Sequence, residues 1–281
     1  MFTLPDPNDA ELTVNAGTHW HSLYKQAQYC LETGQYDLAV AINNYLLFQS
    51  DIPNDVAAQV ICNRELSLEA LYPKVPQSLA ISNRIKVFVS FRSSGLVECI
   101  DSLQFQDYEN FQAYVVDDAS SDYPQSIRQE YTHITLKRNE TPLGWSASLH
   151  EFLTQCDPDD IVFPIDGRLV YCDALRIVNE FFNSYNCSVM YGQYRFSSGD
   201  LGLTVPITNR EFSAALREAC HTPLPFIFRC HVYHDLVSRN SELSWLSCSE
   251  QEAADRALYY ALLDHCGFKR ARFSNQILTI T

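Results

Sequence analysis

Four stretches of this 281-residue chain place acids, amides or cations where an apolar run ends in a turn or a helix begins. In VVDDASSD, two valines run into Asp117, Asp118 and a serine-rich turn. A carboxylate at a strand end can accept hydrogen bonds from a nucleobase imide N–H and from ribose hydroxyls. Taken alone, it caps the turn that follows. In KRNETPLGWSASLHEFL, Gly144 allows a tight turn into a helix whose amino terminus suits a phosphate, and Lys137 and Arg138 are candidate phosphate neighbours. In IVFPIDGRLVY, Asp166, Gly167 and Arg168 follow a third apolar run. In SCSEQEAADRALYYALLDHCGFK, Asp255 precedes an apolar helical face of Leu258, Ala261 and Leu262 that ends at Gly267. An acid so placed can accept a proton from an acceptor hydroxyl; read alone, it favours the helix macrodipole. Glu250 and Glu252 are the alternatives to Asp255 for that role. Trp245 offers a face that stacks on a sugar ring or packs in a core. His231 and His234 are three apart with no evident third ligand, which argues against zinc.

The elements that must position these groups follow from periodicity. IKVFVSF is a short β-rich run, followed by the helical segment LVECIDSLQF and the strand AYVVDD. A helix after Tyr123, a short strand near HITLKR, a helix from Ser146 to Gln155 and the strand DIVFPID complete the alternation. Strands alternating with helices predict a parallel sheet covered by helices, with ligands bound beyond the strands' carboxyl ends. YGQYRFSSGDLGL reads as a strand and a loop, and TPLPFIFRCHVYHDL as an acceptor-side segment.

Ahead of that region the pattern is helical. Trp20, Leu23, Tyr24, Ala27 and Leu31 recur at three- and four-residue steps. Gly34 breaks the segment, and a second helix carries Tyr36, Ala39, Val40 and Leu46. A third runs from about Asn54 to Ala70. LETGQYDLAVAINNYL resembles one tetratricopeptide repeat, with Gly34, Tyr36 and Ala39 in matching positions. One unit does not make a solenoid, which needs stacked copies to bury its core; a helical cap or a peptide-binding module are the two readings. Pro73, Pro76 and the polar run to Asn83 form the expected linker, so residues 1–80 are expected as a small all-α domain and 81–281 as the α/β domain.

Composition bounds the partners. The net charge of −14, from 20 Lys and Arg against 34 Asp and Glu, argues against nucleic acid as a ligand. A local basic pocket for a diphosphate is compatible with it, because a pocket feels its near neighbours most. Ten cysteines are scattered singly without a CxxC pair, which fits neither a zinc ribbon nor a redox motif. With no signal peptide and no apolar run of membrane-spanning length, the expected location is the cytoplasm, with any membrane contact peripheral.

From IKVFVSF through VVDDASSD, the order and spacing resemble the family 2 glycosyltransferases of the GT-A fold, whose corresponding motif reads VVDDGSTD. The resemblance implies a GT-A-like (Rossmann-like) mixed sheet flanked by helices, preceded by the helical domain. It also implies a nucleoside-diphosphate sugar donor, most often a UDP-sugar, and inverting transfer to a carbohydrate, lipid-linked or protein acceptor. Carried over by position, Asp118 reads the base with Asp117 beside it, Arg138 and Gly144 lie by the nucleotide, and Asp166 touches ribose or sugar. Asp255 becomes the general base, with Ala254 where the family has a preceding acid, and Trp245 lies on the acceptor side. The family's DxD acid binds Mn²⁺ or Mg²⁺, and here Arg168 occupies its place, so no metal ligand is assigned and a cation would be weakly held at most. Ser90-Phe91 replaces the family's usual Pro-Thr, and no late histidine supplies a metal. Two readings of Arg168 stay open: its guanidinium replaces the metal at the diphosphate, or the domain is a catalytically inactive scaffold whose helical region recruits a protein partner.

Overall fold

The structure is a computed structural model that describes residues 3–5, 11–13, 20–47, 52–74, 81–91, 95–120, 131–165, 167–169, 171–199, 202, 206, 225–239 and 251–280. The chain divides into two compact units, one of residues 1–75 with 206–214, the other of 76–205 with 215–281.

In the first unit a two-stranded ribbon, β1 (Thr3–Pro5) and β2 (Glu11–Thr13), precedes helices α1 (Trp20–Glu32), α2 (Tyr36–Leu47) and α3 (Asn54–Leu71). The α1–α2 turn closes where Gln35 N–H donates to the Cys30 carbonyl at 2.8 Å. The expected apolar stripes meet there: Leu23, Ala27 and Cys30 pack on Leu38, Ile42 and Leu46, with Val60 of α3. The Asn44 amide, buried on α2, donates to the Pro206 carbonyl at 2.8 Å, so a residue far along the chain belongs to this unit.

The second unit is built on one sheet. Its first strands are β3 (Ile85–Phe91), β4 (Phe111–Asp117), β5 (Ile134–Arg138) and β6 (Ile161–Ile165), parallel in the order β5-β4-β3-β6. Buried β-branched and aromatic residues make them: β3 reads Ile85, Val87, Phe88, Val89, all fully buried. Helices α4 (Leu96–Gln104) and α5 (Trp145–Leu153) fall in this half; the helix expected after Tyr123 lies outside the described residues.

Beyond β6 the sheet is mixed. β7 (Arg168–Leu169), α6 (Ala174–Ser184) and β8 (Val189–Arg195) are followed by β9 (Phe226–Arg229), α7 (Cys230–Arg239), α8 (Gln251–Cys266) and β10 (Ala271–Ile280). The order continues β6-β9-β8-β10-β7, with β9 antiparallel to both neighbours and β10 parallel to β8. Two register shifts in β10, between Ser274 and Ile277 and between Ile277 and Thr279, bend that strand so that its end pairs with β7. Gly192 permits the close approach at the first shift, since a Cβ there would stand 2.5 Å from the Ser274 carbonyl oxygen. The expected mixed, helix-flanked sheet is therefore present.

Candidate functional site

The carboxyl end of β4 carries both acids of the first motif. Asp117 pairs in register with Arg138 at the end of β5, and the two side chains meet, Oδ2 to Nε at 3.2 Å. Asp117 Oδ1 accepts the Ser120 N–H at 2.9 Å, closing an Asx-type turn, and Arg138 Nη2 donates to the Ser120 carbonyl at 3.1 Å. Between them Ala119 has φ of 59°, a left-handed conformation unusual for a residue with a Cβ.

Asp118 is only 1% exposed and turns inward. Its Oδ1 accepts the Asn139 side-chain amide at 2.8 Å and the Leu143 N–H at 2.7 Å, and its Oδ2 accepts the Gly144 N–H at 3.0 Å. The Asn139 N–H in turn donates to the Asp117 carbonyl at 2.9 Å. One buried carboxylate thus ties the whole loop from Asn139 to Gly144 to the end of β4. The resemblance gives this side chain to the base; the structure shows it bonded to the loop. Gly144, with φ of 86°, turns the loop into α5. Lys137 is held by Glu151 of α5, at 2.6 and 2.7 Å, and that contact holds its pKa above the ordinary lysine value.

Aromatic packing relates α5 to the late acid. Trp145 packs edge-on against Phe88 of β3 and against Tyr259 of α8, both at 6.3 Å between centroids, while Tyr259 stacks on Phe226 at 4.4 Å. Asp255 lies one helical turn before Tyr259. Because α8 leads into β10, whose start pairs with Val189 at the amino-terminal edge, its other end and Asp255 lie towards the strands' carboxyl ends.

The third motif lies at the same end. Gly167 has φ of 109°, and Arg168 and Leu169 pair with Ile280 and Thr279. Ile280 also pairs with Arg195, so Arg168 and Arg195 flank one residue of β10, two strand spacings or roughly 10 Å apart. The Nε of Arg195 is buried, with no hydrogen-bond partner among the described residues. Sequence reasoning missed Arg195, because nothing near YGQYRF signals that a bent strand from the far end of the chain will bring it level with Arg168. Asn139 is given no role by the sequence, although the resembling family segment also has an Asn and a Gly ahead of this helix.

The remaining candidates divide plainly. Asp166, Trp245 and Glu250 lie outside the described residues. His231 and His234 sit at the opposite edge, where the His231 N–H donates to the Pro158 carbonyl. A cavity of about 280 Å³, lined in part by Tyr108, Phe111, Tyr131 and His133, also opens there, at the starts of β4 and β5. Asp117 ends a seven-residue strand that begins at that cavity, so the two are about 20 Å apart. Among the described residues no group of three His, Cys, Asp or Glu side chains is disposed to hold a metal ion, and no helix is long and apolar enough to cross a membrane.

Residues 87–238, more than half of the chain, match the model of the family described as glycosyl transferase family 2. No curated protein matches the chain. Among solved structures, S. aureus TarS 1-349 is similar at 17% identity and a TM-score of 0.54, over 70% of this chain and 60% of that one. S. aureus TarS is similar at 16% and 0.53, over 70% of this chain and 36% of that one. TarS 1-349 in complex with UDP-GlcNAc is similar at 17% and 0.51, over 70% and 58%. This chain spans less than two thirds of each, and the likeness is one of fold.

Proposed function

The chain belongs to glycosyl transferase family 2, and from that premise we propose that it transfers a sugar from a UDP-sugar to an acceptor hydroxyl with inversion. The observation that carries this reading is the polar cluster at the carboxyl ends of β4 and β5. There Asp117 and Arg138 meet at 3.2 Å beside a loop that Asp118 holds with three hydrogen bonds. A likeness of fold to a protein solved with UDP-GlcNAc supports the choice of donor.

In this mechanism Asp117 and Arg138 contact the base and ribose, and Asp118 acts through the loop it fixes. Asp166 contacts the ribose or sugar. Arg168, joined by Arg195 in the same sheet row, takes the diphosphate. Asp255 accepts the acceptor's proton as its oxygen bonds to the anomeric carbon. The bond from that carbon to the diphosphate breaks, and UDP leaves with the electron pair, its charge balanced by the two guanidiniums. Arg168 stands where the family's metal acid would be, and a guanidinium offers no lone pair to a cation.

Calorimetric titration with UDP and with GDP, first in EDTA and then with Mn²⁺, tests the reading. Binding of UDP in EDTA is expected. Absolute dependence on Mn²⁺ would contradict the role of Arg168. No binding in either condition would favour a catalytically inactive scaffold, the reading that the loss of the metal acid supports. For residues 1–80 we propose a TPR-like helix pair with a third helix, a module for a protein partner.

A further inference from the structure

The cavity at the starts of β4 and β5 is set apart from the polar cluster around Asp117 by the length of a strand, about 20 Å. Its base is core: Leu103, Phe111 and Ile134 line it, are buried, and belong to the apolar cluster of the sheet. Aromatic rings surround that base. Tyr108 and Tyr131 line it, and the exposed His133 ring packs tilted on Phe111, 5.0 Å between centroids. Phe105 stands in the chain between the lining residues Gln104 and Gln106. It is 75% exposed, more than any other large hydrophobic residue among those described.

The connection from α4 to β4 is fixed by hydrogen bonds that keep the cavity open. The Gln106 amide donates to the Ser102 and Tyr171 carbonyls at 2.9 and 2.8 Å, and its oxygen accepts the Leu175 N–H at 3.1 Å. The Asp107 N–H donates to the Cys172 carbonyl at 2.7 Å, and the Asn110 amide to the Ser82 carbonyl at 2.8 Å. The Tyr108 hydroxyl donates to the Asn83 carbonyl at 2.6 Å, which orients its ring. These polar groups are committed to shape. A different set faces a ligand: Gln104, Glu109, Thr132 and His133 are exposed on the lining and supply an amide, a carboxylate, a hydroxyl and an imidazole.

That lining narrows the ligand by chemistry. It contains no lysine or arginine and does contain Glu109, so it repels a phosphate or a carboxylate. A cation would use the carboxylate and the ring faces, and would leave the amide and hydroxyl donors without work. A neutral ring that carries hydroxyls uses all of them. Its C–H face lies on aromatic rings, while its hydroxyls donate to the carboxylate and both donate to and accept from the amide. About 280 Å³ lies just under the range of about 300–1,000 Å³ usual for drug-sized ligands, which suits a single ring. We infer that this cavity is a second carbohydrate subsite, holding one neutral sugar ring on its aromatic lining at the opposite edge of the sheet from Asp117. The ring is either a free monosaccharide or one unit of a sugar chain.

Backbone NMR of the whole chain tests the subsite. Glucose, N-acetylglucosamine, maltotetraose and chitotetraose would be titrated in turn, with choline chloride as the cationic control. Saturable shifts confined to residues 104–111 and 131–134 are expected from the saccharides. Glu109→Ala removes a hydrogen bond to a charged group from an exposed position and should weaken binding about tenfold. His133→Ala removes one ring and should weaken it about fivefold. Neither variant should change the affinity for UDP, which is titrated separately, so each site stands if the other fails. A tetrasaccharide that binds more tightly than its monomer assigns the cavity to one unit of a chain; equal affinities assign it to a free ring. Saturation by none of the four saccharides, a response to choline alone, or binding that both variants leave unchanged overturns the subsite.

Discussion

At the scale of single residues, the two neighbouring aspartates have different duties. Asp118, itself buried, satisfies one buried side-chain amide and two part-buried backbone N–H groups. Removing it strands one buried donor, the Asn139 amide, worth about 1–3 kcal/mol when left unpaired, and two part-buried backbone donors that water can partly satisfy. Asp118→Ala should therefore lower stability by roughly 2–3 kcal/mol and abolish UDP binding, as denaturant melts and calorimetry would register. Asp117→Asn retains an acceptor for Ser120 and loses the ion pair with Arg138. It should fold normally and weaken UDP binding; unchanged affinity would remove Asp117 from the site. Ala119, at φ of 59°, stands where the resembling motif VVDDGSTD has glycine. Relief of that strain by Ala119→Gly should raise stability by about 1 kcal/mol. No gain in the denaturation midpoint would mean that the glycine's greater freedom in the unfolded chain cancels it.

At the scale of elements, the half of the fold made by local pattern was legible. The apolar runs of β3, β4 and β6 and the helical stripes of α4 and α5 announce themselves within a few residues. The parallel order follows because connected strands flanking a helix have few arrangements open to them. The other half depends on pairings between distant segments. Nothing in PFIFR says that it inserts antiparallel between β6 and β8, and nothing in ARFSNQILTI shows the two register shifts that carry Ile280 between Arg168 and Arg195. The motif acids could be found by resemblance, whereas the inward bonding of Asp118 and the position of Arg195 could not. The bend in β10 rests on Gly192, and Gly192→Ala would drive a methyl against the Ser274 carbonyl. That variant should lose about 2 kcal/mol or more, since backbone must shift to admit it. Its UDP affinity should also fall, because the strand that sets Arg195 beside Arg168 is displaced. If affinity stays level while stability drops, the arginine row is not part of the donor site.

At the scale of the whole molecule, the acidic balance makes the fold's response to pH informative. The imidazole of His231 is held below its ordinary value near 6.5, first by burial and further by Arg229 and Arg270, with Asp235 and Asp159 opposing. An unfolded chain therefore binds this proton at a higher pH than the folded one. Stability contributed in this way is fully present above about 6.5 and is lost as pH falls from there towards the folded pKa. Falling pH also reduces the net charge of −14 and relieves self-repulsion, which acts in the opposite direction. The two effects separate by substitution: His231→Gln keeps the overall charge balance at neutral pH and removes only the buried imidazole. Denaturation midpoints measured from pH 7.5 down to the folded pKa should fall less steeply in the variant than in the parent chain. Identical slopes in both proteins would show that His231 is already free to ionise in the fold.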